Sequence, residues 1–100
     1  MRYISKKHES DHERFKADAK EVLDYAYAML VEKNRHYRDS ILNPVKIFSQ
    51  ATPEERILDR LDDKVSRLAQ GNSDDDEDVV DDMIGYLVML KIARKRGKNG

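Results

Sequence analysis

The chain has no cysteine, which excludes disulfides, thiolate nucleophiles and cysteine-ligated zinc and suits a reducing compartment. Long apolar runs are missing too. None approaches the ~18 residues of a membrane span, and the N-terminal stretch with Arg2, Lys6, Lys7 and His8 lacks the apolar centre of a signal peptide. No sign of charge dominates: 19 basic residues stand against 20 acidic ones, a formal net charge of -1. No global field therefore draws the chain to nucleic acid or an anionic membrane. With 4 glycines in the whole chain there is no phosphate-cradling glycine loop, and no serine–histidine–acid pattern stands out. Tyr3, Tyr25, Tyr27 and Tyr37 are too scattered to form a base-stacking platform. Together these absences lead to a soluble, cytoplasmic protein with neither membrane nor nucleic acid as partner. At 100 residues it is one domain with a modest core unless it associates with copies of itself.

What is present is helix. Ser10 to Glu13, "SDHE", has the spacing of a capping box and predicts a helix start at Ser10. Phe15, Ala19, Val22, Ala26 and Met29 then recur in steps of four and three, widened by Leu23 and Leu30, out to about residue 35. "TPEE" at 52 to 55 predicts a second start, with Thr52 as N-cap, Pro53 at the first helical position and Glu55 closing the box. Its inner stripe is Ile57, Leu58, Leu61, Val65 and Leu68, and Gly71 supplies the stop. A third helix follows "GNSDDD", capped by Ser73 or an aspartate, and ends in the basic turn Lys91 to Arg96. Between the first two helices, Asn43-Pro44 marks a turn. There Ile41, Leu42, Val45, Ile47 and Phe48 are apolar enough to fold back on the bundle, with a helical turn over Val45 to Ser49.

The expected fold is all-α. Three main helices with an apolar connecting loop make a single domain over residues 10–96, between a flexible N-terminal segment, 1–9, and a flexible tail, 97–100. Past Ile84 the third helix is apolar on every side, through Leu87, Val88, Met89 and Ile92, so it should be buried on more than one side. Three helices cannot wrap it, which predicts completion of the bundle by oligomerisation with this helix at the interface.

Charged residues border these stripes. Asp78, Asp82 and Tyr86 stack at four-residue spacing beside Val79 and Met83, and Asp18, Glu21, Tyr25 and Glu32 line a similar edge of the first helix. On the second helix Lys64 borders the stripe, with Arg60, Asp63 and Arg67 further round. Carboxylates near the core from several helices suit a hard cation such as Mg²⁺, which makes Asp78, Asp82 and Glu21 the candidate metal ligands. Lys64, Arg67 and Arg60 are then placed to hold phosphates. In that arrangement Asp78 and Asp82 repel one another, and the pKa of at least one should rise. Asp59 and Asp74 to Asp76 read as solvated helix decoration. His8 and His12 have a zinc-compatible spacing but no further ligand, and His36 suits the negative end of the first helix.

Taken in order, "EKNRHYRDS", "RLDDKVSRL" and "EDVVDDMIGYLVML" resemble the nucleotide-modification-associated family, small all-α domains common in bacteriophages, and more distantly the MazG-like nucleoside triphosphate pyrophosphatases. Lys33, Asn34 and Tyr37 match the first part of the family pattern, Asp63, Lys64 and Arg67 the second, and Glu77, Asp78, Asp82 and Tyr86 the third. Arg38 stands where the family prefers glycine, and His36 where it prefers aspartate. The pyrophosphatases' paired Glu-x-x-Glu and Glu-x-x-Asp signature is absent; Asp59-x-x-Asp62 and Asp78-x-x-Asp81 imitate its spacing. The resemblance implies a link to phage nucleotide or DNA-modification metabolism and adds Lys33 to the phosphate-binding candidates. Three functions stand at this point: a Mg²⁺-dependent enzyme acting on nucleoside polyphosphates, a nucleotide-binding or sequestering module without turnover, and a helical interaction protein for a host or phage partner.

Overall fold

In the computed structural model the structure describes residues 2–71 and 76–99, with side chains from 7 to 71 and from 77 to 97. The chain is all-α, as expected, and among the described residues there is no strand. Helix α1 spans Arg2–Tyr37, α2 Pro53–Ala69 and α3 Asp76–Asn99. None of them is long and apolar enough to cross a membrane.

The start of α2 is the sequence pattern made real. Thr52 Oγ1 accepts from the Glu55 N–H at 3.1 Å while the Glu55 carboxylate accepts from the Thr52 N–H at 3.2 Å, so two otherwise orphaned amides are satisfied. Those Thr52 hydrogen bonds hold the Glu55 carboxyl below its usual range. At the other end Gly71 takes φ +73°, a conformation only glycine adopts without strain, and its N–H donates to the Leu68 carbonyl. The Ser73 cap proposed for α3 lies outside the described residues.

The start of α1 differs from expectation. The helix is continuous from Arg2, so Ser10 sits inside it rather than at its N-cap. One capping box is worth about 1 kcal/mol, and residues 2 to 9 contain no glycine or proline to stop a helix from propagating through them. Likewise α3 runs on to Asn99, into the segment 97–100 read as a flexible tail.

Glu54 at the start of α2 pairs with Arg94 near the end of α3, and Lys64 in the second half of α2 pairs with Asp82 in the first half of α3. The two helices are therefore antiparallel. Between them lies the core: Ile57, Leu61 and Leu90, with Met83, Tyr86, Met89 and Ala93 packed around it. Ile41 and Leu42 from the α1–α2 link close one side. The rest of that link departs from its expected role. Val45 and Ile47 are exposed, Phe48 is 99% exposed, and residues 45 to 49 bend without forming a helical turn. Leu58 and Val65, read as inner-stripe residues, also face outward, because among the described residues α3 is the one helix packed on α2, which buries a narrow line of Ile57 and Leu61.

Helix α1 rests on α3, with Ala26 buried and Met29 and Leu30 half-buried. The approach is close at Gly85, where an added Cβ would lie 3.1 Å from Leu30 Cδ2. Beyond this contact no other helix packs on α1 among the described residues. Its 36 residues span about 54 Å, and Phe15, Val22 and Leu23 on the predicted stripe are exposed. The radius of gyration is 18.0 Å, against about 13 Å for a compact domain of this length. The apolar ring of α3 is largely used within the chain: Gly85 and Leu90 are buried, Ile84, Met89 and Ile92 half-buried, and Leu87 and Val88 exposed.

Ile57 is 0% exposed and Leu58 is not buried, so the two neighbours should respond differently to truncation. Ile57→Ala is expected to lose about 2–5 kcal/mol of stability through lost contacts and a residual cavity. Leu58→Ala should lose less than about 1 kcal/mol. Urea midpoints at constant m-value measure both, and equal losses would contradict this core.

Candidate functional site

A groove of about 870 Å³ opens between the C-terminal half of α1, the turn after it, the first turns of α2 and the middle of α3. Leu30, Ile57, Met89 and Ile92 form its apolar part, and Tyr37 and Tyr86 line it. Its charged lining comes from every element: Lys33 from α1, Asp39 from the turn, Arg56 and Arg60 from α2, Asp82 and Arg96 from α3. The amphipathic pattern explains the mixture. Each helix turns its apolar stripe toward the core, and the residues at the stripe's edge meet at the rim.

Asp82 lies at the junction of the helices. Lys64 Nζ is 3.1 Å from one carboxylate oxygen and Lys33 Nζ 3.2 Å from the other. Lys64 is largely covered, its side chain 16% exposed, while Lys33 is half in solvent. Partial burial of Asp82 works against the charged form, but the hydrogen bonds from Lys64 and Lys33 outweigh it, and the carboxyl is held below the usual aspartate range. This is the opposite of the rise expected for an aspartate facing a second carboxylate. The nearest charges to Asp82 are two ammonium groups.

The turn after α1 shapes the groove's mouth. Asp39 N–H donates to the Asn34 carbonyl and Arg38 N–H to the Arg35 carbonyl, the paired 6→1 and 5→2 bonds of a Schellman ending. Arg38 holds the left-handed position with φ +54°, and Asp39 follows at φ +60°. A glycine would take this left-handed position without strain. Asp39 then gathers the turn: Asn34 Nδ2 donates to its carboxylate at 2.7 Å, Arg96 pairs with it at 3.1 Å, and its carbonyl accepts from Leu42 and Asn43.

Of the residues singled out in the sequence, Lys33, Asn34, Tyr37, Arg60, Asp82 and Tyr86 line this groove. Arg67 and Asp63 do not. They border a separate shallow hollow of about 270 Å³ on α2, with Ser66, Lys64 and Arg60. Asp78, Glu77 and Glu21 are exposed and line neither. Asp78, Asp82 and Glu21 are not gathered into one site: among the described residues no group of three or more His, Cys, Asp or Glu side chains is placed to hold a metal ion. Sequence reasoning missed Arg56, Arg96 and Asp39. Arg56 stands one turn before Arg60 on the same helix, a signal that could have found it. The Asp39–Arg96 pair joins residues 57 positions apart, and no local pattern announces it.

Compared with protein-family models, curated proteins and solved structures, the chain matches none.

Two outcomes follow from this geometry. Because the folded pKa of Asp82 is depressed, its stabilising effect is complete above the unfolded value of about 3.9 and is lost as pH falls through the folded value. Asp82→Asn should therefore be about 1–2 kcal/mol less stable than the parent at pH 7, with the difference shrinking below pH 4. Denaturant melts across pH 2 to 7 test this, and a pH-independent difference would refute it. Arg38→Gly should stabilise by about 0.5–1 kcal/mol by relieving the left-handed residue, read as a rise in thermal midpoint.

Proposed function

We propose that this chain is a nucleoside-polyphosphate-binding helical protein, with the base and sugar in the groove and the phosphates on Arg56 and Arg60. The observation that carries this reading is the pairing of two guanidinium groups with an apolar groove of ligand size. Among the described residues Arg56 and Arg60 are in no ion pair, whereas Lys33, Lys64 and Arg96 are each engaged by a carboxylate. Guanidinium groups bind phosphate oxygens in bidentate fashion, and four-residue spacing lets two of them address neighbouring phosphates. Tyr37 and Tyr86 line the groove, and stacking of an aromatic ring on a base tolerates any base identity. A volume of about 870 Å³ falls in the range of small-molecule sites.

Binding without turnover is the form of this function that the geometry favours. The carboxylates suggested as Mg²⁺ ligands stand apart, and Asp82 is neutralised by Lys33 and Lys64. A divalent ion would then accompany the phosphates rather than occupy a prepared carboxylate cage. Such a protein would buffer or present a nucleotide, in keeping with the phage nucleotide or DNA-modification metabolism that the sequence resemblance implies. The exposed Val45, Ile47 and Phe48 favour a second reading, a helical module that docks on a host or phage protein.

Thermal melts against a panel of deoxynucleoside triphosphates, with and without Mg²⁺, separate these readings. A ligand at a hundred times its Kd contributes about 2.7 kcal/mol, a rise on the order of 10 °C for a domain of this size. Arg56→Ala combined with Arg60→Ala should abolish that rise while leaving the ligand-free midpoint within a few degrees. A panel without any shift would leave the docking module, and release of pyrophosphate or phosphate would make the protein an enzyme.

A further inference from the structure

The stripe on α1 begins as open surface and ends as core. Ala26, Met29 and Leu30 are covered, at least in part, where α1 meets α3. One to three turns earlier on the same line, Phe15 is 66% exposed, Val22 and Leu23 are exposed as well, and Ala19 is half-buried. Among the described residues no other helix packs on this part of α1, whose 36 residues outrun the 24 of α3 and the 17 of α2.

The scale of the imbalance can be read from area. A compact monomer of 11.7 kDa exposes about 5,900 Å², whereas this chain exposes 8645 Å². The excess, about 2,700 Å², is spread over the whole elongated chain, and the free half of α1 carries part of it, where a standard stable interface takes ~800 Å² from each partner. We propose that the N-terminal half of α1 is a dimer interface, in which Phe15, Ala19, Val22 and Leu23 are covered by a second copy of this chain.

Three features favour a second copy over another partner. A two-fold pair uses each patch twice, so two protruding helices remove both excess surfaces in one event. A formal net charge of -1 sets up no long-range repulsion between copies. Ala19 lies between the larger Phe15 and Leu23 at four-residue spacing, so the centre of the patch lets a second helix approach closely while the flanking side chains fill the gap on either side. The groove lies at the other end of α1, so dimer formation and ligand binding can be measured separately.

Sedimentation of the full chain at micromolar concentration should show a dimer. Phe15→Ala is expected to raise its dissociation constant about tenfold to a hundredfold. Phe15→Glu with Val22→Glu should give a monomer, while Val88→Glu on α3 should remain dimeric. Circular dichroism checks that helix content is kept, and if the double variant unfolds, the Phe15→Ala constant carries the test. Hydrogen exchange should show amides 15 to 23 protected in the dimer to the level of α2. A parent protein that is monomeric throughout would overturn the proposal. So would a dimer untouched by Phe15 and Val22 but broken by Val88→Glu.

Discussion

Asp82 stands on α3 and accepts from Lys64 on α2 and Lys33 on α1. Its position matters because the three helices are unequally joined: α2 and α3 share the Ile57, Leu61 and Leu90 core, while α1 meets α3 over a short contact around Gly85. One half-buried carboxylate holding two ammonium groups therefore ties α1 and α2 to the same point of α3. Removing either lysine leaves a charge partly desolvated, which is where such pairs become expensive. The same pair sets the groove, since Lys33 and Asp82 lie on its wall.

The elements were legible because local chemistry fixes them. Thr52, Pro53 and Glu55 mark the start of α2, and Gly71 its end, by interactions that span three or four residues. Ile57 and Leu61 were placed inside by periodicity alone. What periodicity cannot tell is which apolar residue finds a neighbour. Phe15 and Val22 lie on the same line as Ala26, yet only Ala26 meets α3. Leu58 and Val65 were assigned to a stripe wider than one neighbouring helix can cover. The Ser10 box failed for a related reason, since a cap signal of modest strength competes with the propagation of a helix that nothing interrupts.

The candidate site was half legible. Lys33, Asn34, Tyr37, Arg60 and Tyr86 were singled out and do line one groove. The acidic edges of α1 and α3 looked like ligands for one cation, but facing across a core requires a rotation that a helical wheel does not contain. Glu21 and Asp78 are exposed to solvent, and Asp82 is claimed by lysines on two other helices. Arg38 illustrates the reverse case. Its identity is unremarkable as a sequence letter, and only the left-handed backbone explains why a glycine suits that position better.

The stretch from residue 45 to 50 is exposed along its whole length, although the apolar residues on its N-terminal side, Ile41 and Leu42, belong to the core. The helices are thus positioned by side chains and not by the covalent path between them. Closing a flexible loop becomes only slightly harder as it lengthens, by about 0.6 kcal/mol per doubling. Relatives of this chain would then be free to differ in length here, and a foreign peptide or tag spliced between Lys46 and Gln50 would leave the hairpin, the turn at Asp39 and the groove as they are.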